Sequence, residues 1–224
     1  ALFTINPEKP ARPISVSLVL IAIAAFMDMG STNLTRPENF YFSQALIGFA
    51  SILFLAQAMI LGLARTLLAG PRNFVSFTVL FTMSQSLGGL LGASLLGTFQ
   101  VVREKMHSAT IVQEIVLTDP QVAARIAAGG RLIARTVGDP VLRNAQGAGI
   151  LSQQATREAN ILAFNDVFLL VGVLAVLAAI WSYFERWRMQ RRGEESPLVT
   201  LQKLQMQAAA AAAQPSTTPQ RTPE

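Results

Sequence analysis

The sequence predicts an all-α membrane protein with four transmembrane helices and a helical external loop. Of its 224 residues, 51% are hydrophobic and 14% are charged, and the mean hydropathy is positive. Four predominantly apolar segments follow one another along the chain, each close to the roughly 20 residues that a helix needs to cross hydrocarbon. Any one of them is compatible with a buried helix of a soluble protein, but their recurrence disfavours that alternative.

The third apolar segment, residues 75–99, has no charged residue and carries a regular pattern of small side chains. Residues four apart lie on one face of a helix, and small residues on one face let helices approach closely in lipid. In water each glycine would cost about 1 kcal/mol relative to alanine. We therefore predict a helix-packing face. Its two rows are Ser84, Gly88, Gly92 and Gln85, Gly89, Ala93, Gly97.

The chain opens with a polar, proline-containing linker, residues 1–13, followed by a first span at 14–33 and a second at 40–63. Lys9 and Arg12 before the first apolar run would also suit a signal peptide. No small-x-small cleavage site follows the run, and the run is long for the apolar part of a signal, so we expect a retained span.

Residues 100–166 are mostly polar and are expected to form helices on or above the membrane surface. Asp119 and Asp139 each precede a proline, as helix N-caps do, whereas Gly129-Gly130 is predicted to be a break or a weak point between two helical pieces. The last span and its basic exit occupy 167–192. The Ala-run and Pro/Thr/Ser/Gln-rich tail, 193–224, has too little apolar surface to fold alone and is expected to be disordered in the cytoplasm.

The last span ends in an aromatic belt followed by arginines, a pattern typical of a cytoplasmic helix exit. We expect Trp181, Tyr183, Trp187, Arg186 and Arg188 to act as membrane anchors. The formal charge of +5 is also compatible with a protein that binds nucleic acid. Basic residues cluster instead at span ends, so the lipid bilayer is the expected partner and nucleic acid is not.

The positive-inside rule places both termini in the cytoplasm and residues 100–166 outside. On the inner side it counts four basic residues besides the terminal arginines, namely Lys9, Arg12, Arg65 and Arg72.

Few residues of the sequence are candidates for catalysis, metal binding or proton transfer. There is no cysteine and no phosphate-binding loop, metal-ligand pair or nucleophile with an adjacent base, so no metal, cofactor or enzymatic activity is expected. Asp28 lies within an apolar span, where a carboxylate by default belongs to an ion or substrate path. The alternative is that Asp28 lies near the outer lipid head groups. Gln44, Gln57 and Gln85 either line such a path or bond neighbouring helices.

Two further ionisable residues are expected near the outer surface. Asp166, with Asn165, is predicted at the outer mouth of the last span, where it could pair with an arginine of the long loop. His107, the only histidine, has two interpretations, a pH sensor or proton relay and an exposed loop residue.

The order of several motifs resembles the C-terminal end of the major facilitator superfamily, in its fourteen-helix drug:proton antiporter branch. The motifs are Pro71-Arg72-Asn73, SQSLGGLLGASLLGTF, REKMH and ANILAFNDVFLL. The resemblance, over about residues 14–192, implies export of small amphipathic substrates coupled to proton entry by alternating access in a bacterial inner membrane. It also implies that these are the last four spans, and that a periplasmic adaptor protein is a further partner.

The branch's signature motifs in its second and fifth helices have no counterpart here. Because the chain begins with Ala1 and four helices cannot build both halves of such a transporter, we expect a fragment that lacks its N-terminal helices. The alternative is a non-transport membrane anchor of four helices that presents residues 100–166 as an external interaction module.

Overall fold

The computed structural model describes residues 12–70, 72–116, 118–193 and 197–213, and within these ranges the regular structure is entirely helical. A single 3₁₀ turn, Pro37–Phe40, precedes α2. The six α-helices are α1 Arg12–Asp28, α2 Tyr41–Ala69, α3 Asn73–Glu114, α4 Pro120–Leu132, α5 Pro140–Arg191 and α6 Pro197–Ala213.

Three of these helices are long and apolar enough to cross a membrane. They are Pro37–Ala69, Asn73–Glu114 and Pro140–Arg191. The predicted all-helical class is therefore confirmed, and the chain has the helices of an integral membrane protein. The apolar part of α1, Ile14–Asp28, is shorter. At 1.5 Å per residue it falls below the roughly 30 Å of a bilayer core, so a fourth span stays a prediction.

The helix boundaries differ from the predicted spans. The first span was expected to reach residue 33, but α1 ends at Asp28 and a turn follows. The second was expected to end at residue 63, yet α2 continues to Ala69 because Arg65 and Thr66 do not interrupt a helix. It ends before Gly70, whose φ of 110° is the left-handed conformation that a glycine after a helix supplies.

The predicted external loop at 100–166 is helical, as expected, but it is not a separate segment. The third span was expected to end at residue 99, but α3 continues to Glu114, since the intervening residues include strong helix formers. At the other end α5 begins at Pro140 and runs without interruption into the last apolar stretch. Both predicted N-caps are confirmed: Asp119 accepts from the Gln121 amide at 2.7 Å, and Asp139 from the Val141 amide at 2.9 Å.

The glycine pair Gly129-Gly130 does not break α4, so the prediction of a break there is wrong, whereas the alternative of a weak point stays a prediction. Both glycines are buried within the helix. A Cβ atom on Gly129 would lie 3.2 Å from Cα of Gly147, and one on Gly130 would lie 3.1 Å from the carbonyl oxygen of Arg143. The glycines let the backbone of α4 approach the backbone of α5.

The predicted disorder of residues 193–224 is wrong for 197–213, which form α6. Leucine, glutamine and a run of alanines are strong helix formers. Their propensity is high enough for residues 197–213 to form a helix. Residues 214–224 lie outside the described part of the chain. So does most of the predicted linker 1–13, of which the last two residues begin α1.

Contacts group the chain into two units. The first takes the described parts of residues 1–19, 49–85 and 177–224. Within it the ring of Phe77 lies against Gly62, and the hydroxyl groups of Ser15 and Ser182 are 3.2 Å apart.

The second unit takes residues 20–48 and 86–176. Its core is built mainly from alanines, and the ring of Phe26 lies against Gly172. The buried apolar residues of this unit are Ala22, Ala24, Ala25, Ala155, Ala159, Ala163 and Ala175. Small side chains there permit close helix packing.

Candidate functional site

A buried carboxylate lies at the end of α1. Asp28 is 4% exposed, and its Oδ2 accepts a hydrogen bond of 2.9 Å from Nε2 of Gln44 on α2. The Asp28 carbonyl also accepts a bond of 2.9 Å from the hydroxyl of Ser31. The structure therefore brings together two of the four residues predicted to line a pathway, and encloses the carboxylate in protein.

Asn165 of α5 fixes the turn that follows α1. Its Nδ2 donates to the carbonyl oxygen of Ser31 at 2.8 Å, and its Oδ1 accepts from the Ser31 amide at 3.2 Å. A groove of about 480 Å³ opens beside this contact. Three phenylalanines, one isoleucine and seven polar side chains line it, among them Phe40, Gln44, Arg157, Phe164, Asn165 and Phe168. Such a mixed lining suits an amphipathic organic molecule.

Asp166 joins α5 to α3. Its Oδ2 accepts from Nε of Arg103 and is bonded to Nε2 of His107, both at 2.6 Å. The predicted pairing of Asp166 with an arginine of the long segment is thus confirmed. His107 is half-buried, with a side chain 24% exposed, so its interpretation as an exposed loop residue is wrong. We call Arg103, His107 and Asp166 the Asp166 cluster.

The cluster changes the acidity of its carboxyl group. Burial alone would raise the pKa of Asp166. The hydrogen bonds from Arg103 and His107, and their positive charge, outweigh burial and lower the pKa below its ordinary 3.8. Asp166 therefore stays ionised at acidic pH values where an ordinary aspartate begins to bind a proton.

Polar residues missed at the sequence level extend this contact between α3 and α5. Gln100 donates to Asn160 at 2.9 Å. Glu104 is the one buried residue of α3. Its Oε2 contacts Nζ of Lys105 at 3.1 Å, and its Oε1 has no hydrogen-bond partner among the described residues. The sequence does indicate that these polar residues lie together, since positions 100, 103, 104 and 107 share one helix face.

The other two predicted pathway residues belong to the first unit. Gln57 is 5% exposed, and its Oε1 has no hydrogen-bond partner within the described chain. Gln85 is exposed. Among the described residues, neither Gln57 nor Gln85 has a hydrogen bond to a carboxylate like the one between Gln44 and Asp28.

The predicted packing face of α3 is open. A Cβ atom added at any of its four glycines would meet no described atom within 4 Å, and Ser84 and Ala93 are exposed. None of the most apolar 18-residue stretch of α3 is buried. Packing through this face stays a prediction. The four glycines are Gly88, Gly89, Gly92 and Gly97.

Two aromatic–arginine pairs lie at the end of α5, and three of the predicted anchors belong to them. Trp181 and Tyr183 are 66% and 60% exposed. The guanidinium of Arg186 lies 5.4 Å from the centre of the Tyr183 ring. That of Arg191 lies 3.9 Å from the centre of the Trp187 ring. Arg188 is exposed in the last turn. Membrane anchoring by these residues stays a prediction.

Among the described residues no group of three or more His, Asp or Glu side chains is placed to hold a metal ion. No family model matches the chain, and no curated protein and no solved structure has significant similarity to it. The transporter assignment accordingly remains a proposal, supported by the sequence resemblance and by the geometry given above.

Proposed function

We propose that the chain is the C-terminal part of a proton-coupled efflux transporter of the major facilitator type, which exports small amphipathic molecules by alternating access. The observation that carries this proposal is the open face of α3. A 42-residue helix whose apolar part is unburied and whose glycines meet nothing described suits a larger bundle. Helices of the same protein that precede this chain would cover that face.

The Asp28–Gln44 pair supports a proton path through this part of the bundle. A carboxylate enclosed by protein and next to an apolar helix is a natural proton carrier. Gln44 suits both of its states, because an amide donates a hydrogen bond to an ionised carboxylate and accepts one from a protonated carboxyl group. Asp28 can thus gain and lose a proton without losing its partner.

The groove beside Asn165 supports the expected class of substrate. Its phenylalanines offer apolar surface, and Gln44, which donates to Asp28, also lines it. A small amphipathic compound would reach the side chain that contacts the titratable residue. Competition or exchange between substrate and proton requires such proximity.

The distribution of basic residues supports both termini in the cytoplasm, and the family resemblance supports a bacterial inner-membrane location. Under this topology the outer ends of α3 and α5, with α4, lie in the periplasm, where an adaptor protein would meet them. The non-transport anchor is the second candidate. It is favoured by the close packing of α4 on α5 at Gly129 and Gly147, which is suited to a self-contained interaction module.

The reading frame around this chain separates the two candidates. The transporter proposal predicts eight to ten further apolar spans in frame before Ala1, which together with the four predicted here make a bundle of twelve to fourteen helices. It also predicts that cells lacking their own exporters accumulate less of a fluorescent amphipathic cation when they express the complete protein. An independent start next to this chain, or unchanged accumulation with the protein present in the membrane, would favour the anchor.

A further inference from the structure

The Asp166 cluster lies where two apolar segments reach their polar ends. Arg103 and His107 follow the uncharged residues 75–99 of α3, and Asp166 directly precedes the last apolar stretch of α5. Both cationic side chains meet the same carboxylate oxygen. Because a carboxylate only accepts hydrogen bonds, Nε2 of His107 must carry the hydrogen. The Asp166 cluster therefore joins α3 to α5 through one permanent cation and one imidazole.

The two donors respond differently to pH. An arginine stays protonated throughout the range in which proteins are folded, whereas a histidine changes charge between roughly pH 5 and 8. A neutral imidazole gives Asp166 one ordinary hydrogen bond. An imidazolium gives it a charge-assisted bond, which is about twice as strong. Arg103 thus supplies a constant link, and His107 adds a link that strengthens on acidification.

Charged groups of both signs lie near His107 on α3 and α5. On α3 its neighbours one turn away are Arg103, which is engaged by Asp166, and Glu104, which is engaged by Lys105. On α5 it faces Asp166. The acidic residue that precedes Asp166 in α5 is Glu158, which accepts a bond from Asn33. The pairing is partly shielded, since the Arg103, Asp166 and His107 side chains are 31%, 22% and 24% exposed.

We propose that His107 and Asp166 form a pH-responsive clamp between α3 and α5, which tightens when His107 binds a proton and loosens when it releases it. The neighbouring residue extends the effect of the clamp, because Asn165 holds Ser31 in the turn after α1. A shift of α5 relative to α3 at residues 165–166 would therefore also move that turn. The clamp itself does not depend on transport, because every group in it belongs to this chain.

The chain is well suited to a direct distance measurement, because it has no cysteine. Val102→Cys on α3 and Leu162→Cys on α5 place two unique thiols at positions 51% and 41% exposed. Spin labels on these thiols report the separation of the two helices by double electron–electron resonance. The protein in nanodiscs is measured at about pH 5.5 and about pH 8.5, on either side of histidine titration.

We expect a narrower distance distribution at the lower pH in the doubly labelled parent. In His107→Gln, which keeps a neutral donor, we expect the broader distribution at both pH values. A parent distribution that does not change with pH would overturn the clamp, and so would a pH response retained in His107→Gln. Asp166→Asn should also lose the response. If that variant does not fold by circular dichroism, the His107→Gln comparison decides alone.

Discussion

The side-chain amide of Asn165 is bonded at both of its ends to the backbone of Ser31. Its nitrogen donates to the Ser31 carbonyl at 2.8 Å, and its oxygen accepts from the Ser31 amide at 3.2 Å. These two groups stand 134 residues apart in the chain. The bonds tie the turn after α1 to α5, three residues from the buried carboxylate of Asp28.

Replacing Asn165 should release that turn. In Asn165→Ala the Ser31 amide loses its acceptor, and a hydrogen bond contributes about 1 kcal/mol. We therefore expect its hydrogen exchange to accelerate by several-fold, with the change confined to residues near 29–36. Asn160→Ala, which removes the bond to Gln100, is the matched control and should leave that turn unchanged. Equal exchange at Ser31 in the parent and in Asn165→Ala would contradict this role.

Asp28→Asn should uncouple transport from protons in the complete protein. Asparagine keeps an oxygen that can accept from Gln44, so the local packing is preserved while the titratable group is lost. We expect efflux driven by a pH gradient to fall to background, with downhill movement of substrate retained. Glu38→Gln, at an exposed carboxylate of the 3₁₀ turn, is the control. Undiminished pH-driven efflux in Asp28→Asn would remove Asp28 from the mechanism.

Gly147→Ala should destabilise the packing of α4 on α5. A Cβ atom there would collide with the carbonyl oxygen of Ile126 and lie 3.0 Å from the Gly130 nitrogen. Since both obstacles are backbone atoms, we expect a loss of about 1–3 kcal/mol, measured by thermal unfolding in detergent.

Gly149, two residues further along α5, offers a control for which the opposite change in stability is expected. A Cβ atom on Gly149 meets nothing within 4 Å, so Gly149→Ala should gain helix propensity, by up to about 1 kcal/mol. If the two alanine variants melted at the same temperature, the close approach of α4 to α5 at Gly147 would be disproved.

Asp166 should make the stability of the α3–α5 contact depend on acid pH. The pKa of Asp166 is lowered in the folded protein from an ordinary 3.8. Its stabilising contribution is therefore fully present above about pH 4 and is lost as the pH falls through the lowered value. The melting temperature of the parent should fall more steeply below about pH 4 than that of Asp166→Asn. Parallel curves for the two proteins would show that the ion pairs contribute nothing.

Gly92→Leu should distinguish the isolated chain from the complete protein. In this chain the added side chain meets no described atom within 4 Å of its Cβ, and leucine is the better helix former, so stability should not fall. In the complete protein, helices packed against the glycine face would clash with it, and the melting temperature should drop. A drop of the same size in the isolated chain would mean that the face is already occupied within these residues.

Some features were readable from the sequence because they depend on local residues. The N-caps at Asp119 and Asp139 follow from an aspartate placed before a proline, and the long helices follow from runs of apolar residues. The pairing of Asp166 with an arginine was also foreseen, since few other partners are available to a carboxylate at that position.

Other features depend on contacts between distant residues, which a local pattern does not contain. A glycine pair such as Gly129-Gly130 is equally suitable for a helix break and for a close approach between two helices. The contact with Gly147 of α5 decides for the close approach. Gln44 bonds Asp28 at the end of α1, and Asn165 bonds the turn that follows it. The burial of Glu104 and the enclosure of His107 similarly require α5 to lie against α3.

Proton movement in proteoliposomes tests the central claim most directly. The complete protein is reconstituted with a trapped pH-sensitive dye, and a panel of amphipathic cations is added under an imposed pH gradient. The account predicts that the gradient drives at least one cation against its own concentration, and that adding this cation moves protons in the opposite direction. Folded protein in the vesicles that moves neither protons nor cations above the level of empty liposomes would contradict it.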